Sequence, residues 1–410
     1  MITARGRAAL AAGSAARWAS RLTGRGAGSM IGGLVAMTLD KSILGQLGTG
    51  RRSVVVTGTN GKSTTTRMTA AALRTLGPVA SNTEGSNMDA GLIAALAADR
   101  DAGYAALEVD EMHVPHVMDA VGAEVVVLLN LSRDQLDRVG EINHIERTLR
   151  AGLTRHPDAT IVANCDDVLM TSAAYDCPNV VWVAAGGGWA GDSVSCPRSG
   201  EVIVRDGVRW YSTGTDFERP EPQWWFDDAD LHGPDGLSLP MTLSLPGAVN
   251  RGNAAQAVAA AVTMGADPAQ AVAAAAAVDE VAGRYRTVQV GPHAVRILLA
   301  KNPAGWQEAL SMVDTTAAGV VISVNGQVPD GEDLSWLWDV NFEHFSVGKH
   351  TGPVVAAGER GTDLAVRLGY ADVEHTLVHD TMAAIASCPP GRVEVVANYT
   401  AFLQLNRRLP

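Results

Sequence analysis

Positions 53–56, Ser-Val-Val-Val, form an unbroken apolar run, and after a short polar loop the stretch 62–76 takes on helical character. The same exchange recurs at 105–109 then 112–121, at 124–129 then 141–154, and again at the strand-like 160–163. Short runs apolar at every position belong to strands covered on both faces, so this rhythm predicts a parallel sheet with helices on either side. Ligand chemistry in such a sheet collects at the carboxyl ends of its strands. A helical segment over 1–45 precedes it. From about 185 to 245 the pattern breaks into Gly, Pro and Trp with short strand-like runs at 201–204 and 208–211, which predicts an inserted β subdomain. Leu245-Pro-Gly247 closes that insertion, and two alanine-rich helices are predicted at 250–264 and 268–278. Alternation then resumes, with strands predicted at 294–299, 319–324, 353–356 and 393–397. The expected architecture is α/β: a central parallel-sheet domain over 46–287 and a separate C-terminal α/β domain over 288–410, with the boundary close to Thr287.

The loop between the first strand and its helix reads Thr57-Gly-Thr-Asn-Gly-Lys-Ser-Thr-Thr65. Gly58 and Gly61 let the backbone of Thr59 and Asn60 turn its N–H groups inward on phosphates. Lys62 reaches the β and γ oxygens, and Ser63, followed by Thr64, offers a hydroxyl to Mg²⁺. The loop is two residues shorter than the common G-x-x-x-x-G-K form, which points to a subset of nucleotide-binding enzymes. The plain alternative is a glycine turn between a strand and a helix.

Composition narrows the partners. The chain has 410 residues, 47% apolar, and a net charge of −12, so a nucleic-acid partner is not expected. Only Lys41, Lys62, Lys301 and Lys349 occur among the lysines, which makes Lys62 and Lys301 conspicuous. Cys165, Cys177, Cys196 and Cys388 are far apart and contain no C-x-x-C pair, so neither a disulfide framework nor a zinc site is written in their spacing. Reduced thiols in a cytoplasm fit best. Arg5, Arg7, Arg17 and Arg21 interrupt every apolar stretch near the N-terminus, and no run approaches the length of a membrane span.

Further polar residues stand at predicted strand ends. Glu108 closes Ala-Leu-Glu-Val-Asp-Glu, where a carboxylate can face the phosphates and hold Mg²⁺. In an extended segment Asp110 shares its face, so the two could converge on one cation; the alternative is a solvated acidic turn. After the next strand comes Asn130-Leu-Ser-Arg-Asp-Gln-Leu-Asp-Arg138, in which Arg133 and Arg138 suit an anionic substrate. Asn250 and Asn253 fall at a helix start; Asn250 is an N-cap candidate, and Asn253 could read an adenine edge. Asn82, Ser86 and Asn87 are candidates for substrate contact, or else an ordinary polar loop.

The order of the Thr-Gly-Thr-Asn-Gly-Lys-Ser-Thr loop, Glu108, 130–138, Pro-Gly-x-x-Asn-x-x-Asn253, Gly283-Arg284 and Lys301-Asn-Pro-x-Gly305 resembles the Mur ligases over roughly 45–400. These are three-domain, ATP-dependent enzymes that join an amine to a carboxylate. The resemblance implies ATP on 58–64, Mg²⁺ at Ser63 and Glu108, adenine near Asn253 and Arg284 on the triphosphate. Within the family, Lys301-Asn-Pro, Trp336-Leu-Trp-Asp-Val-Asn-Phe-Glu343 and Asn398-Tyr-Thr-Ala401 resemble the branch that amidates the D-glutamate α-carboxyl of the lipid II stem peptide. That branch is a synthetase subunit working with a GatD-type glutaminase as a heterodimer. It implies cytoplasmic action at the inner face of the membrane on a lipid-linked precursor.

Two features bear on that branch. No lysine lies between Lys62 and Lys301, so the carbamylated lysine that amino-acid-adding members use for a second Mg²⁺ has no counterpart, and Gln135 replaces the usual histidine. None of the four cysteines sits on the glycine-flanked elbow a glutaminase nucleophile needs, so ammonia must come from a partner. The resemblance implies that an aspartate of the C-terminal domain completes the partner's Cys-His pair: Asp339 first, Asp333 behind it, the alternative being that Asp339 caps a helix while Trp336 and Trp338 pack. Lys301 would orient the activated carboxyl or pair with an acid at the domain hinge. Relatives in the branch carry a four-cysteine zinc ribbon in the insertion; here only Cys196 remains, so zinc is not expected and the subdomain should be held by packing around Trp210, Trp224, Trp225 and Phe226. Competing readings are an amino-acid-adding Mur ligase, a folylpolyglutamate-type ligase, or a P-loop scaffold that binds ATP without acyl transfer.

Overall fold

The computed structural model describes residues 2–22, 29–82, 86–133, 139–187, 190–279, 285–331, 333–346, 350 and 352–409. Two compact units emerge: 1–131 with 140–279, and 280–410 with 132–139.

The first unit begins with helices α1 (Ala4–Leu22), α2 (Ser29–Leu39) and α3 (Ile43–Gly48). Then follow β1 (Arg52–Thr57), α4 (Lys62–Leu73), β2 (Val79–Ser81), α5 (Asp89–Ala98), β3 (Tyr104–Glu108), α6 (Val114–Val121) and β4 (Val125–Leu128). The wound sheet is completed by α7 (Val139–Leu153), β5 (Thr160–Asn164), α8 (Val168–Ala174) and β6 (Val180–Val183). Its six strands run in the order β2-β3-β1-β4-β5-β6, all parallel. The strands are buried as the sequence demands: Val54, Val55 and Val56 are fully covered, as are Val125 to Leu128. Helices α5, α6 and α7 cover one face, with Leu92, Met118 and Leu149 in one contiguous core with Val55, Leu107 and Val126.

Several elements escaped the pattern. β2 has three residues, too few for a period, and α5 is apolar on nearly every side, so neither alternation nor a helical stripe marks it. The helix expected at 112–121 is divided: a 3₁₀ turn, Glu111–His113, leads into α6 at Val114, because Pro115 has no N–H to donate and fits only the first turn.

The insertion holds a two-stranded hairpin, β7 (Ile203–Asp206) and β8 (Arg209–Ser212), and a small sheet of β9 (Trp225–Phe226), β10 (Asp230–His232) and β11 (Ser238–Pro240). Its core differs from expectation. Trp210 and Phe217 pack with Cys196, Ile203 and Val168, their rings 5.0 Å apart. Trp224 instead bonds through its backbone to Trp182 at the edge of the main sheet, and Trp225 stacks on His232 at 3.7 Å. Apolar side chains close to one another in sequence are thus divided between separate cores. Two helices end the unit, α9 (Ala248–Thr263) and α10 (Pro268–Ala276).

The second unit runs β12 (Tyr285–Val290), β13 (His293–Leu299), α11 (Pro303–Ser311), β14 (Gly319–Ser323), β15 (Val354–Ala357), α12 (Gly361–Tyr370), β16 (His375–Leu377), α13 (Thr381–Ser387), β17 (Gly391–Ala397) and α14 (Tyr399–Arg408). Its sheet order is β12-β13-β17-β14-β15-β16, parallel except for β12. β12 crosses position 287.

Candidate active site

In the first sheet the chain leaves β1 for the β2–β3 side and returns to β4 on the other, so β1 marks the point where strand order reverses, and its carboxyl end opens into the glycine loop. Gly61 has φ +81° and Gly58 φ +143°, values that side-chain-bearing residues rarely adopt. At Gly58 a Cβ would also lie 2.8 Å from Leu129 Cβ and 2.9 Å from the Asn130 carbonyl oxygen. The loop is therefore pressed against the end of β4, and Asn130 fastens it. The Asn130 carbonyl accepts from Thr59 N at 2.8 Å, its Oδ1 accepts from Asn60 N at 2.9 Å, and its Nδ2 donates to Asn60 O at 3.1 Å.

Lys62 opens α4 and is buried. Its Nζ donates to the carbonyls of Gly58 and of Thr59 (3.2 Å), and to Glu111 Oε1 at 3.1 Å. Lysine and glutamate side chains are each 11% exposed, so this is a largely desolvated ion pair, whose rupture by removing one partner costs several kcal/mol. Glu111 was not singled out as a site residue. Asp110, expected to converge with Glu108, turns away to cap the 3₁₀ turn, accepting from Met112 N at 3.1 Å and lying 3.5 Å from His113. The chain changes from extended to helical at this point, and the i, i+2 rule lapses with it. An acid three residues beyond Glu108 at a helix start was the available signal.

Glu108 ends β3 beside Val56, is buried, and its Oε2 has no hydrogen-bond partner among the described residues. A buried carboxylate oxygen left unmatched beside a phosphate-type loop suits a hard divalent cation, with half-buried Ser63 in the same loop–helix junction as the second oxygen donor. Ser63 and Glu108 therefore fit Mg²⁺. Among the described residues no group of three or more His, Cys, Asp or Glu side chains is gathered as a metal site.

Asn82 is buried and its amide is engaged by the backbone. Its Oδ1 accepts from Glu108 N at 2.8 Å, and its Nδ2 donates to Glu108 O at 2.8 Å and to Ser86 O at 2.9 Å, so this buried amide braces the strand end that carries Glu108. Ser86 and Asn87 follow it as half-buried loop residues, the Asn87 carbonyl accepting from Asp110 N.

Asn250 is not the N-cap of α9. The helix starts from Gly247, and Asn250 Nδ2 donates to Pro246 O at 2.6 Å. Asn253 is buried against the loop: a Cβ on Gly61 would lie 2.7 Å from its Oδ1. Gln256, one turn on, donates to Leu128 O at 2.8 Å and ties α9 to β4. Arg133 is half-buried, whereas 134–138 and Arg284 lie outside the described residues.

Asp167 caps α8 and secures the chain just past Asn130, accepting from Met170 N at 2.8 Å and Leu131 N at 3.1 Å. Burial pushes its carboxyl up to about 6 from the usual 3.8, against those hydrogen bonds. The protonated form is thus favoured in the fold, so the contribution of Asp167 to stability is complete below about pH 4 and is lost as pH rises to about 6. Urea unfolding of the wild type and of Asp167→Asn should show the wild type's advantage shrinking across that window by roughly 3 kcal/mol. An advantage constant from pH 4 to 6.5 would remove the assignment.

In the second unit, Lys301 follows β13 with its Nζ 5.0 Å from the Tyr399 ring centroid, and Asn302 caps α11 by accepting from Gly305 N at 2.8 Å. Trp336 is buried and stacks on Trp306 at 5.4 Å; Trp338 is 56% exposed, edge-on to Tyr370 at 5.2 Å. Asp339 follows Trp338 and ends a 3₁₀ turn with its backbone N–H on Trp336 O, and its half-buried carboxylate bonds to no described residue. Asp333 is spent on that turn: it accepts from Ser335 N at 2.8 Å, which holds its carboxyl below the usual range.

A parallel sheet with a glycine loop on its reversal strand, a buried lysine in the first helical turn and an unmatched carboxylate on the next strand defines a P-loop ligase-type nucleotide site. The chain belongs to the Mur ligase family: the Mur ligase middle domain matches residues 56–261, and the MurT ligase C-terminal domain matches 299–402. Over 94% of its length it is 27% identical to the lipid II isoglutaminyl synthase (glutamine-hydrolyzing) subunit MurT of Streptococcus pneumoniae, covering 93% of that protein. The MurT subunit of Staphylococcus aureus is 26% identical, with 96% of each chain covered. In fold it is similar to MurF of Acinetobacter baumannii (TM-score 0.67, 17% identity, 92% and 80% covered) and to a pseudomurein peptide ligase type C of Methanothermus fervidus (0.66, 17%, 87% and 78%). It is an ATP-dependent ligase of the MurT branch.

Proposed function

We propose that this chain is the synthetase subunit of a glutamine-dependent lipid II isoglutaminyl synthase, converting the D-glutamate α-carboxyl of the stem peptide to the amide. The observation that carries the reading is the match to MurT proteins along nearly the whole chain, joined to a loop, lysine and carboxylate disposed for phosphoryl transfer. A carboxylate oxygen of the substrate attacks the γ-phosphorus of ATP and ADP leaves; ammonia then attacks the acyl carbon, inorganic phosphate departs, and a proton is given up. Lys62 meets the β and γ oxygens, exchanging loop carbonyls for phosphate, and the N–H groups of the first turn of α4 take the rest of the charge. Mg²⁺ held by Ser63 and Glu108 would neutralise charge between the β and γ phosphates. Asn82 keeps Glu108 in place, and Asn253 borders the loop on the side proposed for the nucleotide base.

Ammonia is supplied from outside the chain. Burial pushes the thiol of Cys165 up to about 12 and that of Cys177 up to about 11, and raises that of Cys388, so none of the three is an available thiolate at neutral pH. Cys196, whose thiol burial raises but hydrogen bonds to Ser199 and its neighbours bring lower on balance, is packed in the insertion core with Trp210 and Phe217. A GatD-type glutaminase is the proposed source, with Asp339 of this chain completing its Cys-His pair.

The decisive experiment is co-purification with that glutaminase followed by mass spectrometry of lipid II. Glutamine and ATP together should give the one-dalton loss expected when an amide replaces a carboxyl, about 1 Da by elementary composition. Product formed with a free amino acid but with neither glutamine nor ammonium would instead make the chain an amino-acid-adding ligase.

A further inference from the structure

We propose that the hairpin of α1 and α2 is a membrane-surface anchor, holding the protein on an anionic bilayer through an exposed apolar face while exposed arginines such as Arg7 meet lipid headgroups. It deepens the reading of a lipid-linked substrate, and rests on that reading only for its purpose, not for its physics.

α2 is apolar nearly all round, yet only part of it is covered. Gly32, Gly33 and Ala36 form the buried stripe. A Cβ on Gly33 would fall 1.9 Å from the Ala90 carbonyl oxygen of α5, and one on Gly13 of α1 would fall 2.4 Å from Gly32 O, so α2 is clamped between two helices at closest backbone approach. The remaining face leaves Met30, Ile31, Leu34 and Leu39 open to solvent, with Leu34 46% exposed. Positions 30, 31 and 34 share one side of the helix, so Met30, Ile31 and Leu34 make a stripe and not a scatter, while Leu39 is exposed at the helix end. Trp18 of α1, 67% exposed, lies five residues beyond the Gly13–Gly32 crossing, toward the Met30 end of α2. At the other end Arg5 Nε donates to Leu39 O at 2.7 Å.

Charge selects the occupant. The first 39 residues contain five arginines, at 5, 7, 17, 21 and 25, and no aspartate or glutamate, in a chain whose net charge is −12. A second copy would set those arginines against themselves. An anionic bilayer attracts the hairpin and repels the rest of the molecule, which both binds and orients it. Apolar side chains with a tryptophan beside arginines are the composition of helices that lie in the membrane interface. With 11 residues, α2 is about 16 Å long, half of a hydrocarbon core, so it lies on the bilayer and does not cross it. No helix among the described residues is long and apolar enough to cross a membrane.

The test is co-sedimentation of the full chain, alone and with its glutaminase, with vesicles of phosphatidylcholine or of phosphatidylcholine and phosphatidylglycerol in equal parts. Binding is expected to the anionic vesicles only. Leu34→Glu should abolish it, and Arg7→Gln should weaken it by about fivefold, the effect of one interfacial arginine. Both positions are exposed, so circular dichroism and ATP-driven amidation of a water-soluble stem peptide should stay at wild-type level. Failure to bind anionic vesicles, or binding indifferent to Leu34→Glu, overturns the anchor. So does a concentration-dependent dimer that Leu34→Glu dissolves, since a second copy would then cover the stripe. If the amidation reading alone is wrong, every variant is inactive on the soluble peptide while vesicle binding persists.

Discussion

Replacing Lys62 by alanine is expected to lower substrate-stimulated phosphate release by about a hundredfold to a thousandfold, the range found when one preorganised donor to a developing charge is removed. Two effects combine. The transferring phosphoryl group loses the ammonium that would offset its charge, and Glu111, whose side chain is 11% exposed, is left as a buried anion with no counterion. The second effect also predicts lower stability, so thermal unfolding must be measured beside turnover. Lys62→Ala with Glu111→Gln separates them: neutralising the glutamate should restore much of the stability and none of the turnover. Amidation near the wild-type rate in the single variant would disprove the role given to this lysine.

The second large effect is a split between nitrogen sources. Asp339→Asn in the assembled complex is expected to reduce glutamine-driven amidation by a factor on the order of 10³ to 10⁴, as when the acid behind a catalytic histidine is made neutral. Amidation driven by ammonium chloride should be unchanged, because Lys62, Ser63 and Glu108 belong to the first unit and Asp339, in the second, is given no part in phosphoryl transfer. Asp333→Asn is the control. Its carboxylate is engaged by the Ser335 N–H at the start of the same turn, so its loss should cost local order without separating the two sources. Equal losses with glutamine and with ammonium in Asp339→Asn would reduce that residue to a structural part of the turn. A split seen in Asp333→Asn instead would transfer the role to the runner-up.

Much of this was legible in the chain. Strands such as 54–56 and 125–128 declare themselves because a strand buried on both faces must be apolar throughout. The glycine loop is equally plain, since φ values of +81° and +143° exclude most other residues. Glu108 could be assigned from its place at a strand end, and it keeps an unmatched buried oxygen there. The rest shares a different cause. A polar loop residue such as Asn82 does not show in its local pattern that its amide satisfies the backbone of Glu108. Asp110 is expected beside Glu108 in an extended segment, but the chain turns into a 3₁₀ helix there, and it is Glu111 that meets Lys62. Trp224 and Trp225 were placed in the wrong core because neighbours in sequence can enter different sheets.

By itself the sequence determined the α/β winding, the phosphate loop and the family, because each depends on periodicity or on residue types that the backbone geometry permits within a few positions. Tertiary structure alone decided which side chains pair. Glu111 with Lys62 joins residues 49 apart, Asn130 with the loop joins residues 70 apart, and Gln256 with Leu128 joins residues 128 apart. It also decided which apolar residues stay uncovered, for nothing in the composition of α2 separates Leu34, left in solvent, from Ala36, sealed against its neighbours. Burial and pairing depend on what other segments bring to a point in space, and a local pattern carries no record of that.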